Sequence, residues 1–73
     1  MDTITLDCRG SVCPMPIVQI ARAIKTLAEG QLLQVQADDP AFAADVEAWA
    51  SQTGHELREL SGAPVFTALI CKS

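Results

Sequence analysis

Thr3-Ile4-Thr5-Leu6-Asp7-Cys8-Arg9-Gly10-Ser11-Val12-Cys13-Pro14-Met15-Pro16-Ile17 passes from one periodicity to another within fifteen residues. Thr3 to Cys8 alternates, with Ile4, Leu6 and Cys8 on one face and Thr3, Thr5 and Asp7 on the other, the pattern of a half-buried strand. Arg9-Gly10 turns the chain. Beyond Pro14 the apolar residues Ile17, Ile20, Ala21, Ile24, Leu27 and Ala28 recur at helical spacing, and Gly30 supplies a stop. A cysteine therefore stands where a strand hands over to a helix. The spacing predicts Cys13 at or beside the N-cap, with Pro14 at N1 and Pro16 at N3, where a missing N–H costs nothing. The N–H groups of Cys13 and Met15 are expected to remain free. Together with the positive end of the helix dipole they would favour a thiolate over a thiol.

The remainder of the chain completes the pattern. Leu32 to Ala37 alternates again, setting Leu33, Val35 and Ala37 against Gln34 and Gln36. Asp38-Asp39-Pro40 offers an N-cap carboxylate followed by proline at N1. A second helix is expected to run to about Thr53, with Phe42, Val46, Trp49 and Ala50 on its inner face and Gly54 ending it. His55 to Leu60 and Val65 to Cys71 read as strands joined through Ser61-Gly62-Ala63-Pro64. The order β-α-β-α-β-β predicts a two-layer α/β sandwich: a mixed four-stranded sheet, one face partly in water and the other covered by both helices. Residues 1–73 read as one domain. A right-handed crossover makes the first two strands parallel, so the turns leaving them share one end of the sheet. Arg9, Cys13, Asp38 and Asp39 then come together if those strands are neighbours.

Composition narrows the function classes. An apolar share of 49% with 19% charged residues is that of a globular protein rather than a disordered one. No apolar run approaches a membrane span, and Met1-Asp2-Thr3-Ile4 lacks the basic and apolar regions of a signal peptide, so the cytoplasm is the expected compartment. There the three cysteines are expected as thiols; their spacing, at positions 8, 13 and 71, fits no zinc pattern. Neither metal nor cofactor is implied. Nine acidic residues against five basic ones give a net charge of −4, and Arg9, Arg22, Lys25, Arg58 and Lys72 are scattered. That is a poor footprint for nucleic acid or an anionic membrane, and a better one for protein partners with basic docking surfaces.

The run Leu6-Asp7-Cys8-Arg9-Gly10-Ser11-Val12-Cys13-Pro14-Met15-Pro16 resembles the signature of the TusA/SirA sulfur-carrier family, a Leu-Asp-x-x-Gly-x-x-Cys-Pro-x-Pro pattern. Asp38-Asp39-Pro40-Ala41 and Gly54-His55-Glu56-Leu57 resemble family segments at matching places, so the likeness covers almost the whole chain. It implies a fold similar to the C-terminal domain of translation initiation factor three, with Cys13 carrying sulfur as a persulfide. It also implies a cysteine desulfurase or a rhodanese-type enzyme as donor, and a DsrE-like or other thiol-bearing protein as acceptor. The chain departs from the pattern where Cys8 adds a second thiol, and where Cys71-Lys72 stands in place of a basic pair found in several relatives.

Each candidate residue carries a plainer alternative. Cys13 could be a structural cysteine at a helix start, although two prolines around it read as a rigid mount for sulfur. Cys8 shares a face with Ile4 and Leu6 and reads first as an inert buried thiol, second as a resolving partner of Cys13. Cys71 is expected at a frayed terminus without function. Arg9 reads equally as a steadying cation for a Cys13 anion and as a solvated turn residue. Asp7 belongs to the motif on the outer face of the first strand. Asp38 and Asp39 read as capping first and docking second, and Gly10 as the residue that lets the chain turn. His55 has no second ligand in sight, and Trp49 reads as core rather than as a binding platform. Two other functions compete: a stand-alone thiol enzyme using Cys13 with Cys8, and an RNA-binding or regulatory module. The first lacks a general base beside Cys13, and the second lacks basic charge and stacking aromatics.

Overall fold

The computed structural model describes residues 3–73. The elements are β1 (Ile4–Asp7), α1 (Met15–Ile24), β2 (Leu32–Ala37), α2 (Phe42–Thr53), β3 (Glu56–Ser61) and β4 (Phe66–Cys71). They form one four-stranded sheet in the order β1-β2-β4-β3. β1 and β2 are parallel neighbours, with Leu6 opposite Val35, while β4 runs antiparallel to both β2 and β3. The two-layer α/β sandwich with a mixed sheet is thus observed.

The core lies between the helices and one face of the sheet. Leu33, Val35 and Ala37 of β2 pair with Ile70, Ala68 and Phe66 of β4, and all but Phe66 are buried. Over them α1 lays Pro16, Ile20 and Ile24, and α2 lays Phe42, Val46 and Ala50, each set at i, i+4 and i+8. Burying each large side chain among these stabilises the fold by about 1.5 to 3 kcal/mol relative to exposure. Leu57 and Leu60, three residues apart, would point to opposite faces of a regular strand. A bulge between Leu57 and Glu59 absorbs Arg58, so that both leucines pack against the core.

Two helix boundaries and the exposure of one residue differ from the sequence pattern. α1 ends at Ile24 rather than near Leu27, because Thr26 and Leu27 donate to the carbonyls of Ala23 and Ile24 in tighter turns and the Thr26 hydroxyl caps Ala23. α2 starts at Phe42 with Ala41 as N-cap, two residues later than Asp39 would place it. Ile4, predicted for the core, is 41% exposed at the start of β1, an edge strand of the sheet. α2 stops at Gly54, whose φ of 82° and N–H bond to the Ala50 carbonyl make the left-handed cap. Among the described residues no helix is long and apolar enough to cross a membrane.

Candidate functional site

The loop from β1 to α1 is built on the loop that follows β2. After β1 the Cys8 N–H still reaches the Gln36 carbonyl at 2.7 Å, and Ser11 donates back to the Cys8 carbonyl at 3.1 Å. Gly10 turns with φ of 83°, a conformation that side chains disfavour, and its N–H donates to Asp38 Oδ1 at 2.9 Å. The Cys13 N–H donates to Asp39 Oδ2, while Asp39 Oδ1 accepts the Ala41 N–H at 3.1 Å. Parallel pairing of β1 with β2 therefore does bring Cys13, Asp38 and Asp39 together. The two aspartates serve the cysteine loop more than they cap α2, whose N-cap residue, Ala41, has no side chain to cap it. Arg9 lies at the same end but turns back on Asp7, giving it the backbone N–H and two guanidinium bonds of 2.9 to 3.0 Å.

The helix start differs from the sequence expectation by one residue, and the difference matters. Pro14, with φ of −96° and ψ of 12°, is the N-cap; Met15 is the first helical residue and Pro16 the second. The Pro14 carbonyl accepts the first helical bond, from Val18. Cys13 thus sits one position before the cap. Neither N–H expected to be free is free: that of Cys13 goes to Asp39, and that of Met15 to the Val12 carbonyl at 2.8 Å. Cys13 is exposed, as are Val12 before it and Met15 two residues after it.

This arrangement reverses the predicted electrostatics. The Cys13 thiol is pushed above its ordinary range, first by its hydrogen bond to the Asp45 carboxylate, then by desolvation and by the charges of Asp45 and Asp39. A carboxylate beside a thiol disfavours the second negative charge. The helix N-terminus does not offset this, because the nearest donors are already satisfied by protein acceptors. At neutral pH this setting favours the thiol over the thiolate at an exposed Cys13.

The sequence pattern does not single out Asp45, and Trp49, read there as core, does pack against the core while also facing the site. Both line a groove of about 250 Å³ that opens beside Cys13, with Pro14 and Ile17 on one wall and Asp45, Ala48, Trp49 and Gln52 on the other. The α2 residues stand at i, i+3, i+4 and i+7, one continuous stripe. Trp49 is only half-buried; its ring stacks on His55, with centroids 5.3 Å apart. His55 in turn accepts the Ser73 N–H at its Nδ1. The available signal was the stripe itself, which sits one turn round the helix from Phe42, Val46 and Ala50 and contains a carboxylate.

The other thiols are set apart from this groove. Cys8 is fully buried, its Sγ donating to Gln19 Oε1 at 3.1 Å, and burial together with the Asp7 charge raises its pKa. Cys71 is not frayed: it is buried in β4 between Leu32 and Glu56. The chain beyond it is held by Lys72, which donates from Nζ to the Leu27 carbonyl at 2.6 Å and accepts the Gly30 N–H. All three cysteines are free. Among the described residues no cluster of His, Cys, Asp or Glu has the arrangement to hold a metal ion.

Comparison with known proteins places this geometry. The family model described as sulfurtransferase TusA matches residues 4–72. The sulfur carrier protein TusA of Allochromatium vinosum is 43% identical over 54 residues, 74% of this chain and 71% of that one. YrkF of Bacillus subtilis is 50% identical over 54 residues, again 74% of this chain, but the match spans only 29% of YrkF. Among solved structures, a SirA-like protein from Desulfitobacterium hafniense aligns over 93% of this chain and 95% of its own. Its TM-score is 0.80 at 27% identity.

Proposed function

The chain belongs to the TusA sulfurtransferase family, and from that premise we propose that it carries sulfane sulfur as a persulfide on Cys13 between two cytoplasmic proteins. The observation that carries this reading is that Cys13 is the exposed cysteine of the three, set in a fastened loop, while Cys8 and Cys71 are buried. The donor is a cysteine desulfurase or a rhodanese-type enzyme, and the acceptor a DsrE-like or other thiol-bearing protein. In loading, the Cys13 sulfur attacks the outer sulfur of the donor's persulfide. One S–S bond forms as the donor's S–S bond breaks, and the donor's inner sulfur leaves as a thiol with the proton that Cys13 gave up. Delivery repeats the exchange with an acceptor thiol as attacker. Neither step needs an external oxidant or reductant.

Pro14 and Pro16 bracket the first turn of α1, and Gly10, Asp38 and Asp39 hold the loop that presents the sulfur. Arg9 and Asp7 stabilise the turn before it. The redox form of the stand-alone thiol-enzyme alternative needs Cys8 as a resolving partner, and a fully buried thiol bonded to Gln19 is poorly placed for that. Incubation with a desulfurase or rhodanese and a sulfur source tests the proposal by intact mass. One added sulfur (~32 Da) is expected on the native chain, and on Cys8→Ser, as persulfide transfer requires. A mass that stays unchanged, or a gain that persists in Cys13→Ser, rejects it.

A further inference from the structure

We propose that the groove beside Cys13 is a receptor for a basic side chain, an arginine or lysine flanking the reactive cysteine of a partner protein, with Asp45 as its counter-ion and Trp49 as its wall. This rests on the sulfur-carrier reading, since it concerns how a donor or acceptor engages the same sulfur.

The argument starts from charge. Of the groups lining the groove, Asp45 is the charged one; Pro14, Ile17, Ala48 and Trp49 supply apolar surface and Gln52 a neutral polar end. From the neighbouring loop Asp39 adds a second negative charge near the sulfur. The cations that could compensate are engaged elsewhere: Arg9 is paired with Asp7, Arg58 with Glu56, and Lys72 with the Leu27 carbonyl. Arg22 and Lys25 lie at the far end of α1, in its last turn and at its C-cap. A cleft with apolar walls and one sign of charge focuses its field on what enters, here in favour of a cation. Trp49, held by its stack on His55, presents aromatic surface suited to a guanidinium, and the volume fits one long side chain rather than a segment of backbone.

The chemical consequence follows from the same contacts. A cation seated against Asp45 draws that carboxylate's charge away from the thiol and adds a positive charge beside it, so that ionisation of Cys13 becomes favourable when the partner is in place. Small electrophiles without such a cation meet a protonated thiol. Docking and activation are then one event, and selectivity arises from a group that the carrier itself lacks.

The test uses two short synthetic peptides, each with one cysteine held as a mixed disulfide with thionitrobenzoate. They differ in a single residue next to that cysteine, arginine in one and glutamate in the other. The Cys13 sulfur attacks the peptide sulfur, a protein–peptide disulfide forms, and thionitrobenzoate leaves and is followed by its absorbance. In low salt the arginine peptide is expected to react faster by roughly tenfold, the lower end of what a charged cleft contributes to association. The preference should shrink in high salt and disappear in Asp45→Asn, while Glu47→Gln, exposed on α2 outside the groove, keeps it. Equal rates for both peptides on the native chain, or a preference undiminished in Asp45→Asn, overturns the proposal. No sulfane sulfur moves in this assay, so its failure is separate from a failure of persulfide loading by mass.

Discussion

The backbone N–H of Cys13 is held by the carboxylate of Asp39, 26 positions further along the chain. That bond, with the one from Gly10 to Asp38, converts the loop between β1 and α1 from a connection into a fixture. Removing the carboxylate in Asp39→Ala strands two N–H groups, those of Cys13 and Ala41. A loss of about 1 to 2 kcal/mol is expected, by analogy with deleted helix caps and backbone bonds. Urea unfolding measures it, and faster amide exchange at Cys13 would localise it.

Asp45 sets the acidity of the exposed thiol. Its carboxylate raises the Cys13 pKa, so the thiolate fraction at neutral pH is small and alkylation accelerates only as pH rises through that raised value. Asp45→Asn removes the charge and moves the whole pH profile to lower pH. At pH 7.5 iodoacetamide should modify the variant several-fold faster than the native chain. An unshifted profile would remove Asp45 from this role.

The ion pair at the foot of the loop titrates far lower than an ordinary carboxylate. The Asp7 carboxyl falls from 3.8 to about 2, chiefly through its side-chain hydrogen bond from Arg9. The folded value lies below the unfolded one, so any stabilisation it gives is present above about pH 4 and is lost as the pH falls through 2. Both partners are exposed, and salt will weaken it. Carboxyl chemical shifts followed against pH should show Asp7 returning towards 3.8 in Arg9→Gln.

Accessibility separates the three thiols. Ellman's reagent should titrate Cys13 rapidly in the folded chain and reach Cys8 and Cys71 only on denaturation, as their burial dictates. Cys8→Ala removes a packed sulfur and leaves Gln19 without that donor, at a cost of about 1 to 2 kcal/mol, and should leave persulfide loading intact. A second fast thiol would instead revive a redox partnership between Cys8 and Cys13.

Gly10 tests the turn. Its φ of 83° lies in the left-handed region, yet a Cβ placed there meets nothing within 4 Å. Gly10→Ala should therefore cost only the backbone term, about 1 to 2 kcal/mol, in a denaturant midpoint without a change of fold.

Strong alternation and helical periodicity made the elements readable in the chain, and β2 falls at Leu32–Ala37 as its alternation predicts. The parallel direction of β1 and β2 followed from crossover handedness, while their adjacency, on which the meeting of Cys13 with Asp38 and Asp39 depends, is seen only in the structure. What periodicity cannot resolve is the rotation of α2 about its own axis. Trp49 lies three residues from Val46 and one from Ala50, at the border between the core stripe and the groove stripe, and a small rotation decides which it joins. Asp45 reaches Cys13 only because α2 packs across from Pro14 and Ile17. The electrostatics at Cys13 were misjudged for a related reason. A helix start favours a thiolate only through vacant N–H groups, and here a long-range carboxylate takes that of Cys13 and a local turn that of Met15.

α1 begins without a side-chain cap, whereas the backbone N–H of Cys13, two residues before its first residue, is bonded to Asp39 just beyond β2. β2 is an inner strand, hydrogen-bonded to β1 on one side and β4 on the other. A pull on Cys13 is therefore shared with the loop that leaves an inner strand of the sheet, rather than borne by the helix start alone. Pro16 adds a second anchor from within the first turn of α1, its side chain fully buried in the core, so the mount of Cys13 is held from the sheet and from the helix together.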